Sequence, residues 1–352
     1  MSSSPALSNV VSIGGGTGLS CLLKGLKYAV MDFPEPPDPA STPWISRLTA
    51  VVTVTDDGGS SGRLRDELRV LPPGDIRNCL VALSTDESLI SQLFQYRFPG
   101  SGQLHGHSFG NLFLTALAGV TGDFLTAIKV SSDVLATRGR IYPATLDDVH
   151  LEAVLEDGAR LMGESAIARS HARVLRLGLS PRDCRPVPAV LEAIRLADII
   201  TVGPGSLFTS LLPNLLVKGI AREIHKSKAL KLFIGNLMTQ PGETTGFTAS
   251  AHLEVIREHT GHDLFDGVIL NEKPIAASVL DRYRRQGAVP VTSDYDELEK
   301  MGLTIFEGEL LARAKVVRHD PSVLAETVRN AYRTCRPPAL TASVTKTSSE
   351  SL

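Results

Sequence analysis

A Rossmann-like α/β fold, with a doubly wound, mostly parallel sheet, helices on both faces and a small antiparallel insert, is predicted by three features of this chain. Short apolar, β-branched runs end abruptly in glycine-rich or polar loops at residues 10–13, 48–55, 198–202 and 230–234. Apolar residues then recur at helical spacing, so strand, loop and helix follow one another as in crossover units of a parallel sheet. Only residues 149–156 alternate apolar and polar, and Asp157-Gly158 follows them. That is a hairpin signature, and it marks about residues 138–186 as an antiparallel insert on the parallel scaffold.

The first unit is a strand at residues 10–13, the loop Gly14-Gly15-Gly16-Thr17-Gly18, and a helix over about residues 19–29. Backbone N–H groups and a positive helix end meet there, which suits an anion. The loop is neither a GxGxxG dinucleotide fingerprint nor a Walker loop, because Leu19 stands where the third glycine would be. A turn needed only for tight strand–helix packing is the alternative. Residues 31–47 hold five prolines and the lone Trp44, and read as a surface excursion.

Residues 48–55 form the second strand and lead into Asp56-Asp57-Gly58-Gly59-Ser60-Ser61-Gly62-Arg63. Two carboxylates can hold a metal ion such as magnesium. Hydroxyls, amides and Arg63 can hold phosphate. A capped turn is the plainer alternative, with Arg63 and Glu67 spaced to pair along the next helix. Pro72-Pro73-Gly74-Asp75-Ile76-Arg77-Asn78 opens another helix, with Asp75 as an N-cap or a ligand-facing acid and Asn78 in the first turn. His105-Gly106-His107-Ser108-Phe109-Gly110-Asn111 opens a third, with Ser108 as cap and Asn111 placed to read a base, sugar or phosphate. Metal binding by the His105/His107 pair is disfavoured, since no nearby Cys or carboxylate completes a ligand set.

Residues 124–135 read as helical. The basic run 169–185 lacks interleaved aromatics and reads as a solvated face. The scaffold resumes with a helix at 188–196 and a strand at 198–202 that ends in Gly203-Pro204-Gly205-Ser206. A strand at 230–234 then ends in Gly235-Asn236, a helix covers 248–259, and a strand covers 266–270. In an open parallel sheet all carboxyl ends share one edge, so four loops would converge on one ligand cleft. Tyr283 can stack on a base and Arg318 can pair a pyrophosphate. A solvent-facing basic helix and turn is the alternative for that region.

Composition sets the outer limits. The 352 residues suffice for a large core in one or two domains, and the formal net charge of −2 gives no field that draws nucleic acid. No apolar run is long enough to cross a bilayer, and residues 1–9 carry no signal-like pattern, so a cytoplasmic protein is expected. Cys21, Cys79, Cys184 and Cys335 lie far apart without a CxxC, as reduced thiols would. Residues 1–9 and the Ser/Thr-rich tail 336–352 are expected to be disordered around an α/β domain at 10–330.

Six ordered motifs, at residues 13–19, 55–65, 72–78, 106–111, 203–210 and 236–240, together resemble the CofD/YvcK family from about Val10 to about Val328. The resemblance implies a Rossmann-like fold. Its CofD branch transfers a phospholactyl-type group from a guanylated donor to a deazaflavin with a divalent metal. Its YvcK branch binds UDP-sugars such as UDP-N-acetylglucosamine and supports cell shape and wall synthesis on gluconeogenic carbon. The ligand-contacting Tyr and Arg of that branch fall on Tyr283 and Arg318.

CofD lacks the Gly-Gly-Ser-Ser-Gly-Arg run that follows Asp57 here, which argues against transferase activity and for a nucleotide-sugar-binding regulator. The glycine loops would hold the pyrophosphate, and a protein partner of unknown identity would read ligand occupancy. A homodimer is implied by the same likeness. The alternative is a magnesium-dependent transferase like 2-phospho-L-lactate transferase, with Asp56 and Asp57 on the metal and Asp75 as base.

Overall fold

Residues 7–31, 43–85, 89–170 and 172–335 are described by the computed structural model. The chain runs through β1 (Ser8–Gly14), α1 (Gly16–Leu26), β2 (Ile45–Val52), α2 (Gly59–Leu68), α3 (Gly74–Leu83), α4 (Leu89–Gln95), α5 (Phe109–Thr121), α6 (Phe124–Val134) and β3 (Arg140–Pro143). The insert follows as β4 (His150–Leu155), β5 (Arg160–Met162), α7 (Glu164–Arg169) and β6 (Val174–Ser180). Next come α8 (Pro188–Arg195), β7 (Ile199–Val202), α9 (Leu212–Leu216), α10 (Ile220–Lys226), β8 (Leu230–Ile234), α11 (Ala249–Thr260) and β9 (Gly267–Asn271). The last elements are α12 (Ala277–Arg284), α13 (Tyr295–Lys300), β10 (Thr304–Gly308) and α14 (Pro321–Cys335).

Seven strands form one sheet in the order β10-β9-β8-β7-β1-β2-β3, and every neighbouring pair is parallel. Its two faces feed two separate apolar cores. Val11, Ile13, Ile200, Val202 and Phe233 pack into one. Val10, Val52, Ile199, Leu232 and Ile234 pack into the other. Side chains alternate between faces along a strand, so a strand covered on both sides needs apolar residues at most positions. That requirement is why residues 199–202 and 230–234 are mainly apolar, interrupted by Thr201, whose hydroxyl donates to Ser12 Oγ, and by the half-buried Lys231. By contrast β4 buries only Leu151, Ala153 and Leu155, and it lies in a separate antiparallel sheet of order β5-β4-β6.

Several boundaries differ from the sequence expectation. β1 begins at Ser8, inside the stretch expected to be disordered. Trp44 and Ile45 are buried and β2 starts at Ile45, so the end of the expected surface excursion belongs to the sheet and brings these two side chains into the core. An indole in a proline-rich context marks the point where that segment rejoins the core. Residues 32–42, most of the expected insertion, and the tail 336–352 lie outside the described residues. Arg140–Pro143 pairs parallel with β2 as an edge of the main sheet, so the antiparallel insert starts later than residue 138. Among the described residues no helix is long and apolar enough to cross a membrane.

Candidate ligand cleft and carboxylate cluster

The sheet order reverses at β1, whose two neighbours are β2 and β7. Loops leaving β1 and β7 diverge there, and open α/β sheets bind ligands in such a crevice. The two loops touch. A Cβ on Gly18 would lie 2.2 Å from the Pro204 carbonyl oxygen, so only glycine permits the approach. Asn236, after β8, locks the second loop from the other side. Its Oδ1 accepts from Gly205 N at 3.1 Å, and its Nδ2 donates to Gly205 O at 2.8 Å. Ser206 Oγ accepts from Thr209 N at 3.3 Å and donates to the Glu243 carboxylate. Glu243 is 4% exposed, a position the sequence did not single out. Burial raises its pKa, against the Ser206 hydroxyl and the Phe208 N–H.

A cleft of about 890 Å³ opens along this edge. Of the candidate residues it brings together Thr17, Gly18, Asn78, Gly205, Ser206, Asn236, Tyr283 and Arg318. Lys24, Lys27 and Arg318 also line it, and no Asp or Glu is among its described lining residues. Lys27 is already engaged, since its Nζ donates to Ser84 O at 2.7 Å. Tyr283 sits on α12, a helix with no buried residue, and its hydroxyl accepts from Val317 N at 3.0 Å. The Arg282 guanidinium lies 5.4 Å from the Tyr283 ring centroid. His319 is buried in the wall, and burial lowers its pKa to about 4, so it is neutral at physiological pH.

A second group of candidates gathers beside the cleft without lining it. Asp75 lies in the first turn of α3 and is not its N-cap, which is Pro73. Its Oδ2 instead accepts from Gly16 N at 2.8 Å, tying the start of α3 to the loop after β1. A Cβ on Gly15 would lie 2.7 Å from that same oxygen. Burial raises the Asp75 pKa to about 6, reinforced by Asp56 and opposed by the Gly16 N–H, Asn78 and Arg77. Asp56 Oδ1 accepts from Gly58 N at 2.9 Å, a local turn. Asp57 Oδ1 accepts from Ser165 N at 2.8 Å, so Asp57 caps α7 and pins the antiparallel insert to the sheet edge. Arg65 adds a second tie, with Asp148 and with Val149 O.

Asp57 thereby places Glu164, the first residue of α7, against the other acids. Burial raises the Glu164 pKa to about 9, with further contributions from Asp56, Asp75, Asp57 and Glu243 in that order. Sequence inspection missed this residue, because it joins the site only through a contact made 108 positions from Asp57. Asp56 and Asp57 each have one carboxylate oxygen engaged by a backbone N–H, and among the described residues no three His, Cys, Asp or Glu are grouped to hold an ion.

These acids set a pH dependence. Both Asp75 and Glu164 titrate higher in the folded chain than at their ordinary values of 3.8 and 4.5. The folded state therefore binds extra protons, and the stability they supply is present below those values. It is lost as pH rises through about 6 for Asp75 and about 9 for Glu164. At alkaline pH the folded chain must hold a proton on Glu164 that the unfolded chain has released, and Glu164→Gln removes that cost. The substitution is expected to raise the melting temperature by a few degrees near ~pH 8.5 and to change it little near ~pH 4, as thermal scans across pH will read. A parallel shift at both pH values would contradict this.

The remaining candidates frame the site. Gly14 ends β1, and its carbonyl accepts from Thr53 N at 3.1 Å and Asn214 Nδ2 at 3.0 Å. Gly203, at φ +94, would bring a Cβ to 2.8 Å from Ile234 O. Gly58 is the N-cap of α2, and Gly59, Ser60 and Ser61 form its first turn. Ser60 Oγ meets His107 Nδ1 at 3.0 Å and accepts from Asn111 Nδ2 at 3.1 Å, and Ser61 Oγ accepts from the same amide at 3.4 Å. Ser108 caps α5 as expected, accepting from Asn111 N at 3.2 Å. Arg63 donates to His105 O at 2.6 Å.

A parallel sheet with glycine loops meeting at its reversal point defines a Rossmann-like α/β protein. The model of the family CofD, 2-phospho-L-lactate transferase, matches residues 10–311. A gluconeogenesis factor from Halalkalibacterium halodurans is 46% identical over 321 residues, covering 91% of this chain and 95% of that protein. One from Bacillus subtilis is 44% identical over 317 residues, covering 90% and 95%. The crystal structure of a UPF0052 family protein from Bacillus halodurans superposes with a TM-score of 0.85 at 45% identity, covering 92% of this chain and 99% of that one. The chain belongs to the CofD family, in its group of gluconeogenesis factors.

Proposed function

We propose that this chain is a nucleotide-sugar-binding regulator of the gluconeogenesis-factor type, with a UDP-sugar as its ligand. One observation carries the reading. The cleft at the sheet's reversal point is lined by Lys24, Lys27 and Arg318 with no acid among its described lining residues, while the acids lie beside it. A pyrophosphate fits such a wall through charge-assisted hydrogen bonds and backbone N–H groups. Tyr283 offers an aromatic face to the base, and Asn78 and Asn236 offer amides to the sugar. Ligand occupancy would then bias the exposed α12 and the segment that carries Arg318, which a protein partner reads. Cell-shape and wall-precursor functions on gluconeogenic carbon are the physiological setting of this proposal, and a cytoplasmic homodimer is its expected form.

A transferase acting on a nucleoside-diphosphate donor is the second reading. The raised pKa of Asp75 favours it, since a base poised near neutrality suits proton abstraction from an alcohol. Asp75 does not line the cleft, however, so binding without turnover is preferred. Titration of the protein with UDP-N-acetylglucosamine by calorimetry, followed by analysis of the mixture, separates the two. Saturable binding of intact ligand, weakened at least tenfold in Tyr283→Ala, supports the regulator. Release of a nucleoside monophosphate, abolished in Asp75→Asn, supports the enzyme.

A further inference from the structure

Arg318 stands on a projecting turn. Leu311 and His319 pair antiparallel, Ala312 N donates to Arg318 O at 2.9 Å, and Asp320 N donates to Leu310 O at 2.7 Å. The base of this turn is fixed: Leu310 and His319 are buried, and Cys21 Sγ on α1 donates to His319 O at 3.2 Å. Its tip is not packed. Residues 313–316 and Arg318 are exposed. Without other ties such a tip has many backbone conformations, and each would put the Arg318 guanidinium in a different place.

The ties come from α12. The Arg282 guanidinium donates through Nη2 to Lys315 O, and Val317 N donates to Tyr283 Oη at 3.0 Å. Both bonds fall just before Arg318 in the chain. Among the described residues they are the hydrogen bonds that join residues 312–318 to the rest of the fold. The Arg282 guanidinium also lies 5.4 Å from the Tyr283 ring centroid, so one side chain braces both ties. α12 has no buried residue of its own. The chain after it is anchored to the loop after β8, where Thr239 N donates to Val289 O at 2.7 Å and Val289 N to Thr239 Oγ1 at 3.0 Å. Tyr283, Ala312, Ala314, Val317 and Arg318 line the cleft, whereas Arg282 is not among its lining residues.

We propose that Arg282 is a positioning residue for ligand binding: by holding the Lys315 carbonyl it fixes the backbone before Arg318 and aims the Arg318 guanidinium into the cleft. Arg282 touches the tip and not the ligand. The tip is thereby ordered before the ligand arrives, and affinity rises because less freedom is lost on binding. A guanidinium suits this task, since its donors lie in a rigid fork that serves the carbonyl while the plane rests beside the Tyr283 ring. The coupling is reciprocal, so a ligand that engages Arg318 tightens the tip against α12. The anionic ligand of the proposed function supplies that engagement, and to this extent the inference rests on that reading.

Amide hydrogen exchange and calorimetry on the full chain test this. In the ligand-free protein the Ala312 and Val317 amides are expected to exchange about fivefold faster in Arg282→Ala than in the wild type. Arg282 is exposed, so the variant is expected to fold, and an unchanged melting temperature verifies it. Unchanged exchange overturns the proposal, whatever the protein binds. Affinity for UDP-N-acetylglucosamine is expected to fall about five- to tenfold in Arg282→Ala, and Arg282→Lys, which keeps a donor for the carbonyl, is expected to recover part of it. In the Arg318→Ala background the same Arg282→Ala change is expected to cost nothing further, because it acts through a side chain already removed. A full additional loss in that background would mean that Arg282 meets the ligand itself, and overturns the proposal. Absence of UDP-N-acetylglucosamine binding by the wild type overturns the reading of the cleft, and the exchange result alone then decides this one.

Discussion

Gly18→Ala is expected to abolish ligand binding and to destabilise the chain by roughly 3 kcal/mol, the upper range of overpacking costs. The added methyl would stand 2.2 Å from Pro204 O, 2.7 Å from its carbonyl carbon and 3.1 Å from Gly205 Cα. All three are backbone atoms, so no rotamer change relieves the contact. The loop that must yield is the one held by Asn236 and Ser206. Relief would therefore open the crevice at the sheet's reversal point and misplace the N–H groups on both sides. Gly119→Ala is the informative contrast. It lies inside α5 with nothing within 4 Å of its Cβ position, and the same substitution there is expected to stabilise by about 0.5–1 kcal/mol. Chemical denaturation of both variants reads the difference. Equal effects would mean that the two loops do not need their close approach.

Arg318→Ala is expected to weaken UDP-sugar binding by roughly ten- to a hundredfold, as loss of a charge-assisted pair implies. Arg318 is exposed at the residue level yet lines the cleft, so its removal leaves no buried charge and costs little stability. Lys24 cannot replace it, because a point charge lacks the bidentate fork. Arg318→Lys is accordingly expected to recover only part of the affinity, in the same calorimetric titration. Full recovery would reduce Arg318 to a generic positive charge.

The parallel scaffold was legible because physics leaves few ways to write it. Strands such as Ile199–Val202 are covered on both faces and so carry no charged residue, and helices such as α5 carry a capping serine. β10 escaped notice for the converse reason: it is an edge strand with no buried residue, so Thr304–Gly308 carries no apolar run. The cleft's glycines and Asn236 were legible from their place after strand ends, and Asn78 from its place in a helix's first turns. Glu164 and Glu243 were not, because each acts through a partner distant in sequence, Asp57 and Ser206. Asp57 shows the same limit: its bond to the N–H of Ser165, which ties the insert to the sheet edge, joins residues 108 positions apart.

The central claim is that the acid-poor cleft holds a nucleotide sugar through its pyrophosphate and reads a uracil base. Competition between UDP-N-acetylglucosamine and GDP for the wild-type protein, measured by calorimetry with and without magnesium, tests it most directly. The account predicts uracil-selective, saturable binding of an intact ligand that does not require the ion. Preference for GDP, or binding that appears only with magnesium and ends in cleavage of the pyrophosphate, would contradict it.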